Sequence, residues 1–459
     1  MESGPALPNI IPAIQRYLKI HARIPGGDED LPAPRPGLKL VVVIPSLAER
    51  EGLGEVLSSL EAGSLRLDEA EAIVVVNNPA QPDARVLENN LETLRDLRRR
   101  PAGKLPVHAL DRASPGRWLP ADKAGVGLAR RLGMDLALAR LLRAGGAERG
   151  AIACLDGDSP AGPGYADAWL SEFDRNDPPL GGLCGYEHPL PDDPRRARPI
   201  VIYELWLRYI EAGMRFTGSP FAFSAVGSCT AASAYGYALA DGMPERKAAE
   251  DFHFLRKLAK ASGFKPLAAV RSLTVYPSAR ASDRVPFGTG RAMGRSPAEQ
   301  EARYARVEPP GVFFELRKLF LSWREGYARP DALPAAAGPR LDAFLAAEGA
   351  WAVMDKLRAI YPSARHFELA CQHWFDGLRI VRFANQYARE AGRVEVLSAW
   401  RELLAAWPEF TAAAGPPPAG KDGELELERE WLRYLRSGTR AGALEKAGTD
   451  GARDRRLFD

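Results

Sequence analysis

The sequence predicts an α/β protein: a mostly parallel sheet with helices on both faces, followed by an all-helical C-terminal domain. Three observations carry that prediction. Apolar runs at 38–44, 72–76, 107–110 and 151–155 alternate with helical patterns at 51–60, 84–100 and 125–144, the βαβ spacing of a parallel sheet. Apart from Lys39, the first two runs and the last are continuously apolar, as strands buried on both faces are. From about residue 305 only helical patterns remain, at 341–360, 364–391, 394–407 and 424–436, and no strand pattern appears among them. The expected organisation is a lead-in and linker at 1–37, an α/β domain at 38–304 and a helical domain at 305–459.

The elements follow in order. A short helix is expected near 9–22, then a linker whose prolines and glycines from Pro25 to Gly37 cannot continue helix or strand. The first strand, 38–44, stops at Pro45. The second, 72–76, runs into Asn77-Asn78-Pro79. The helix at 125–144 places Arg131 and Asp135 four residues apart, read here as a pair on an exposed face. After Asp158 the chain turns irregular, with a strand expected at 181–185 and a helix at 203–215 whose Trp206 and Tyr209 read as core. Residues 216–239, rich in Gly, Ser, Thr and Ala, read as loop and strand. A helix at 247–262 ends at Gly263 as its C-cap, and a strand at 267–276 stops at Pro277.

Composition narrows the function classes. The 459 residues suffice for two domains, and 46% hydrophobic content supports a sizeable core. A net charge of only +3 argues against nucleic acid as the partner. Cys154, Cys184, Cys229 and Cys371 are far apart and form no metal-type pair, so a reducing, cytoplasmic setting is expected. The N-terminus lacks a signal-peptide pattern, and no apolar run reaches the roughly 18 residues of a membrane span.

The chemistry concentrates at Ala151–Ser159. A buried strand ends in Asp156-Gly157-Asp158, two acids one residue apart. In an open α/β sheet ligands bind beyond the carboxyl ends of the strands. Two convergent carboxylates repel unless a cation lies between them, and hard oxygen ligands suit Mg²⁺ or Mn²⁺, the former commonly shared with phosphates. An acidic turn capping the next segment is the competing reading. A second acidic pair, Glu250-Asp251, opens a helix. Arg280-Ala-Ser-Asp283-Arg284 through Gly288-Thr-Gly290-Arg291 is a Gly- and Arg-rich loop suited to a diphosphate or acidic acceptor, with a surface loop of Arg–Asp pairs as the alternative. His188 and His253 stand near these segments, and for both a structural role is the favoured reading.

Taken together, residues 38–290 resemble the family 2 glycosyltransferases of the GT-A fold. Ile44-Pro45-Ser-Leu-Ala48-Glu49 is similar to the family's first-strand motif, with Ala48 where Asn is usual. Val76-Asn77-Asn78 stands where the family carries Asp near the base. Lys123 to Gly127 through Arg131 is similar to its Gly-and-Arg segment, Leu155-Asp156-Gly-Asp158 to its Asp-x-Asp, and Glu250-Asp251 to its acceptor-side acids. The resemblance implies a Rossmann-like GT-A catalytic domain. It would transfer sugar from a nucleotide-diphosphate donor to an acceptor hydroxyl with Mg²⁺ or Mn²⁺. It implies donor contacts from Pro45, Glu49, Asn77, Lys123, Arg131 and Asp156, to which the Arg-rich loop is expected to add Arg284 and Arg291, metal binding by Asp158 with Asp156, and Asp251 with Glu250 on the catalytic side. Asp251 is expected to act as base, held ionised by its helix N-terminus, with inversion as the outcome. A nucleotidyltransferase and a degenerate binding or scaffold module are the alternatives. The helical domain's role stays open between completing the acceptor pocket, forming a dimer and docking a partner.

Overall fold

The computed structural model of the protein describes residues 10–23, 31–284, 287–420 and 424–444. Residues 1–9 and 24–30 of the expected lead-in and linker lie outside them, as do residues 285–286 of the Arg-rich loop. Along the chain come α1 (Ile10–Ile20), β1 (Leu40–Ser46), α2 (Arg50–Glu61), β2 (Ala70–Asn77), α3 (Ala84–Arg99), β3 (Val107–Arg112), α4 (Val126–Arg143), β4 (Ala151–Cys154) and α5 (Tyr165–Phe173). They are followed by β5 (Gly181–Tyr186), α6 (Pro194–Phe216), β6 (Thr230–Ser233), α7 (Ala234–Leu239), α8 (Glu250–Ala261) and β7 (Ala268–Val275). The rest is helical but for two short strands: α9 (Thr289–Met293), α10 (Pro297–Gln300), β8 (Arg306–Val307), α11 (Gly311–Ala328), α12 (Ala332–Ala337), α13 (Pro339–Ala347) and α14 (Ala350–Ile360). Then come α15 (Ala364–Trp374), α16 (Gly377–Ala391), β9 (Val394–Glu395), α17 (Val396–Ala405), α18 (Pro408–Ala414) and α19 (Leu425–Arg440).

The fold class matches the expectation. Seven strands form one sheet in the order β3-β2-β1-β4-β6-β5-β7. β1 pairs in parallel with β2 and β4, and β5 with β7, while β6 runs antiparallel to both its neighbours. The sheet is parallel except for one reversed strand, β6. Every residue of β1 and β2 is buried, which is why their sequences do not alternate.

Two compact units share the chain. One comprises Met1–Pro189, Ala225–Ser262 and Pro266–Arg291, the other Leu190–Ser224, Gly263–Lys265 and Ala292–Asp459. The second unit includes α6, whose Tyr209 hydroxyl donates to the Glu308 carbonyl at 2.8 Å and whose ring meets Phe313 and Trp400. The strand-free expectation for 305–459 is corrected by β8 and β9, which pair antiparallel over two residues. The long helices expected at 341–360 and 364–391 are each two helices. The first breaks at Gly349, which takes φ 68° where a side chain would be strained, and the second near Asp376, whose carboxylate caps the Leu378 N–H.

Helix α4 departs most from its expected character. Its residues are buried on nearly every side, and a Cβ on Gly133 would lie 2.4 Å from Val43 Cγ1 and 2.8 Å from Val75 Cγ2, so the helix backbone lies close on the sheet. Arg131 and Asp135 are therefore not an exposed pair. Asp135 is wholly buried, accepts from the Tyr17 and Tyr237 hydroxyls at 2.7 Å each and from the Arg23 N–H at 2.6 Å, and ties α1 and α7 to α4. One turn on, Arg140 meets Glu71 of β2, with Nη2 to Oε2 at 2.8 Å and both side chains almost fully buried.

Breaking a buried pair from one side strands a charge. Arg140→Met should therefore cost about 3–5 kcal/mol in denaturant unfolding. The double change Arg140→Met with Glu71→Leu should recover most of that loss. A double variant no more stable than the single one would contradict the assignment.

Candidate active site

The sheet order brings the two acidic segments together. β1 and β4 are neighbours, so the stretch after Ile44 and the turn after Cys154 emerge side by side. The turn packs directly on the start of α2: a Cβ on Gly157 would lie 3.1 Å from Glu49 Cβ and Cγ. Gly157 thus permits the close approach, and Asp156 and Asp158 flank it. Ala48 holds φ 53°, a left-handed conformation that Asn adopts more readily than Ala, with its N–H donating to Asn90 Oδ1 at 2.9 Å.

Around this turn the carboxylates are matched by arginines. Glu49, buried, pairs with both Arg280 and Arg284. Arg280 Nη2 also lies 2.9 Å from Asp158 Oδ2, and Arg284 donates to the Leu47 carbonyl at 2.6 Å. Burial and the neighbouring Asp158 raise the proton affinity of Glu49, against the pull of Arg284 and Arg280. Burial and Asp156 raise that of Asp158 in the same way. The acids therefore repel, and positive charge is required among them. Arg280 Nε is buried with no hydrogen-bond partner, an orphaned donor beside the acids.

A second guanidinium links the turn to α8. Arg130 of α4, 3% exposed, bonds Glu250 through Nη1 and Asp156 through Nη2. A Cβ on Gly227 would fall 2.3 Å from Arg130 Nη2, so only glycine fits over it. Burial opposes the charge on Arg130, but Asp156 and Glu250 outweigh it and hold the group protonated. Next along, Asp251 accepts the Phe252 N–H at 2.7 Å. Its pKa is nonetheless pushed up to about 7, by burial and then by Glu250, with Arg130 pulling the other way. The expected ionised state held by the helix N-terminus is corrected: desolvation and a like-charged neighbour outweigh the backbone.

The structure brings Glu49, Asp156, Asp158 and Arg284 together and joins Asp156 to Glu250 through Arg130. Other expected donor residues are engaged elsewhere. Asn77 is buried, its amide donating to the Ser46 and Val75 carbonyls at 3.3 and 3.1 Å. Asn78 is joined to Asn90. Arg131 bonds Asp135 and the carbonyls of His21, Asp241 and Met243, so the guanidinium at the carboxylates is its predecessor, Arg130. Lys123 lies 3.9 Å from Glu245 at the surface, and Arg291 pairs with the exposed Asp283. Pro45 lies buried within β1. His188 meets Thr289 and His253 meets Arg256. A sequence signal for Arg130 existed: Asp135 stands four residues after Arg131, which pairs that arginine within α4 and leaves its neighbour for another partner.

Among the described residues no group of three His, Cys, Asp or Glu side chains is placed to hold a metal ion. Asp156 and Asp158 fit a different kind of site, one in which two hard carboxylates share a divalent cation with a diphosphate and water. The mutual repulsion that raises Asp158's proton affinity is the observation that fits such an ion.

No protein-family model and no curated protein matches the chain. Among solved structures it is similar to S. aureus TarS 1-349 in complex with UDP-GlcNAc, at 15% identity and TM-score 0.34 over 77% of this chain and 92% of that one. It is also similar to the mannosyltransferase PcManGT from Pyrobaculum calidifontis in complex with GDP-Man and Mn²⁺, at 14% identity and TM-score 0.32 over 94% of this chain and 92% of that one.

Asp251 gives the site a stability signature. Its folded pKa lies above the ordinary carboxylate value, so between about pH 4 and 7 the folded chain holds a proton that the unfolded chain has released. Stability from this group is full below pH 4 and falls as pH rises through 7. Asp251→Asn should therefore melt higher than the parent at pH 8, with the gap closing toward pH 4. A variant that melts lower at pH 8 would contradict the raised pKa.

Proposed function

We propose that the chain is an enzyme transferring a sugar from a nucleotide-diphosphate donor to an acceptor hydroxyl. One observation carries the reading. At the carboxyl edge of the sheet, Arg130 joins Asp156 of the Asp-x-Asp turn to Glu250, beside Asp251, whose raised proton affinity suits a base near neutral pH.

The chemistry assigns each group a task. The acceptor oxygen attacks the anomeric carbon and forms the new C–O bond. The bond from that carbon to the diphosphate oxygen breaks, and its electron pair leaves with the nucleoside diphosphate. Asp251, ionised, takes the acceptor's proton, and a single displacement of this kind inverts the anomeric centre. Arg280 and Arg284 exchange part of their contact with Glu49 and Asp158 for phosphate oxygens, and the orphaned Arg280 Nε gains an acceptor. Asp156 and Asp158 would hold a Mg²⁺ or Mn²⁺ ion, which when bound neutralises charge on the departing diphosphate. Among the described residues no helix is long and apolar enough to cross a membrane.

Release of nucleoside diphosphate from nucleotide-sugars tests the reading. Asp158→Ala and Asp251→Asn should each lower turnover about 100-fold or more, the scale of losing a charge-stabilising group or a base. Below pH 7 the rate should rise tenfold per pH unit as Asp251 ionises, and level off above it. Pyrophosphate as the product would overturn the reading in favour of nucleotidyl transfer. Full activity of Asp158→Ala would overturn the role of the acid pair.

A further inference from the structure

We propose that Trp118 is the platform on which the donor's nucleobase stacks. Such a role rests on the sugar-transfer reading above and gives the far end of the donor its holder. The acids set the direction in which that end lies. Gly227, just before β6, packs on Arg130, which bonds Glu250, so Asp251 stands on the β6 side of the Asp-x-Asp turn. A single displacement puts the acceptor and the departing diphosphate on opposite sides of the anomeric carbon. The nucleoside therefore runs the other way, toward β1 and β2, which follow β4 along the carboxyl edge. The end of β2 lies two strand spacings, about 10 Å, from the acid pair. A ribose and base extending from a diphosphate at that pair can cover such a span.

At the end of β2 the polar side chains are spent. Asn77 and Asn78 are buried, and their amides donate to the Ser46, Val75 and Pro79 carbonyls. The fold presents an indole there instead. Leu119 is stitched to the strand end: its N–H donates to the Asn78 carbonyl and its carbonyl accepts the Ala80 N–H, both at 3.0 Å. Leu119 is buried, while Trp118 beside it is 38% exposed, in contrast to the fully buried Trp169, Trp323, Trp400 and Trp431. Among the described residues no other aromatic ring meets it. The loop that carries it is fixed from β3. Asp111 accepts the Ala113 and Ser114 N–H groups at 3.0 and 2.9 Å and the Ser114 hydroxyl at 2.6 Å, and the Arg117 N–H donates to the Ser114 carbonyl at 2.9 Å. An exposed aromatic face on a fixed loop is preorganised for stacking, and every nucleobase offers a π-face to it.

Calorimetric titration of UDP, GDP, dTDP and ADP, each with Mn²⁺, into the full chain, Trp118→Ala and Trp118→Phe tests the stack. The expected result is that Trp118→Ala weakens a diphosphate bound by the parent about tenfold or more, the worth of one base–aromatic stack, and that Trp118→Phe largely restores it. Without ligand, both variants should melt with the parent, as exposed substitutions do. Should Trp118→Ala fail to fold, Trp118→Leu, apolar but without a ring, takes its place. Equal affinity of the parent and the ringless variant would overturn the stack and leave the transfer reading standing. So would a Trp118→Phe chain as weak as the ringless one. Binding of none of the four diphosphates by the parent would overturn the transfer reading, and the stack with it.

Discussion

The candidate site depends on one buried guanidinium. Asp156, Glu250 and Asp251 lie close enough that the first two share Arg130 and the third feels all of them. Glu250 is buried and Asp156 and Asp251 partly so, and acids packed this closely repel unless a counter-charge lies between them. Arg130 keeps Asp156 and Glu250 in place, and in doing so ties α4 to the end of β4 and the start of α8. The near-total burial of α4, packed on Val43 and Val75 of the sheet and tied to α1 and α7 through Asp135, holds that guanidinium in a fixed place. Gly227 completes the arrangement by leaving room for the guanidinium where any side chain would collide.

Arg280 and Arg284 repeat the device on the other side of the Asp-x-Asp turn. They neutralise Glu49 and Asp158 from a loop, whereas Arg130 does so from a rigid helix. The difference suits two tasks. In the proposed reaction a fixed charge would set the proton affinity of the base, while charges on a loop would exchange carboxylates for phosphates. The raised proton affinities of Glu49, Asp158 and Asp251 show a cluster held together at a cost to folding, as functional sites commonly are.

Much of this was legible in the sequence because it rests on local pattern. β1 and β2 announce themselves as unbroken apolar runs, and Asp156, Asp158 and the Glu250-Asp251 pair stand out as acids beside a strand end and a helix start. What escaped depends on contacts distant in sequence. Arg130 and Arg131 are adjacent and chemically identical; the spacing to Asp135 marks Arg131 as paired within the helix, but tertiary packing is what carries Arg130 to the acids. Asn77 and Asn78 have the chemistry to read a base, but Ser46, Val75 and Asn90 take up their amides. Asp251's proton affinity reversed its expected direction because burial is invisible in a helix-start pattern. The breaks that divide the C-terminal helices hang on a single Gly349 and a capping Asp376, weak marks within long helical periodicity.

The central claim is that the acid pair at the end of β4 receives a nucleoside diphosphate with a divalent cation. Thermal unfolding of the chain with UDP, GDP, dTDP, ADP and CMP, each with Mn²⁺, with Mg²⁺ and with chelator, tests it most directly. A ligand that binds only the folded state stabilises it by about 2.7 kcal/mol at a hundredfold excess over its dissociation constant. The account predicts a rise in melting temperature with at least one diphosphate, dependent on the metal. No rise with any of them in the presence of either metal would contradict it.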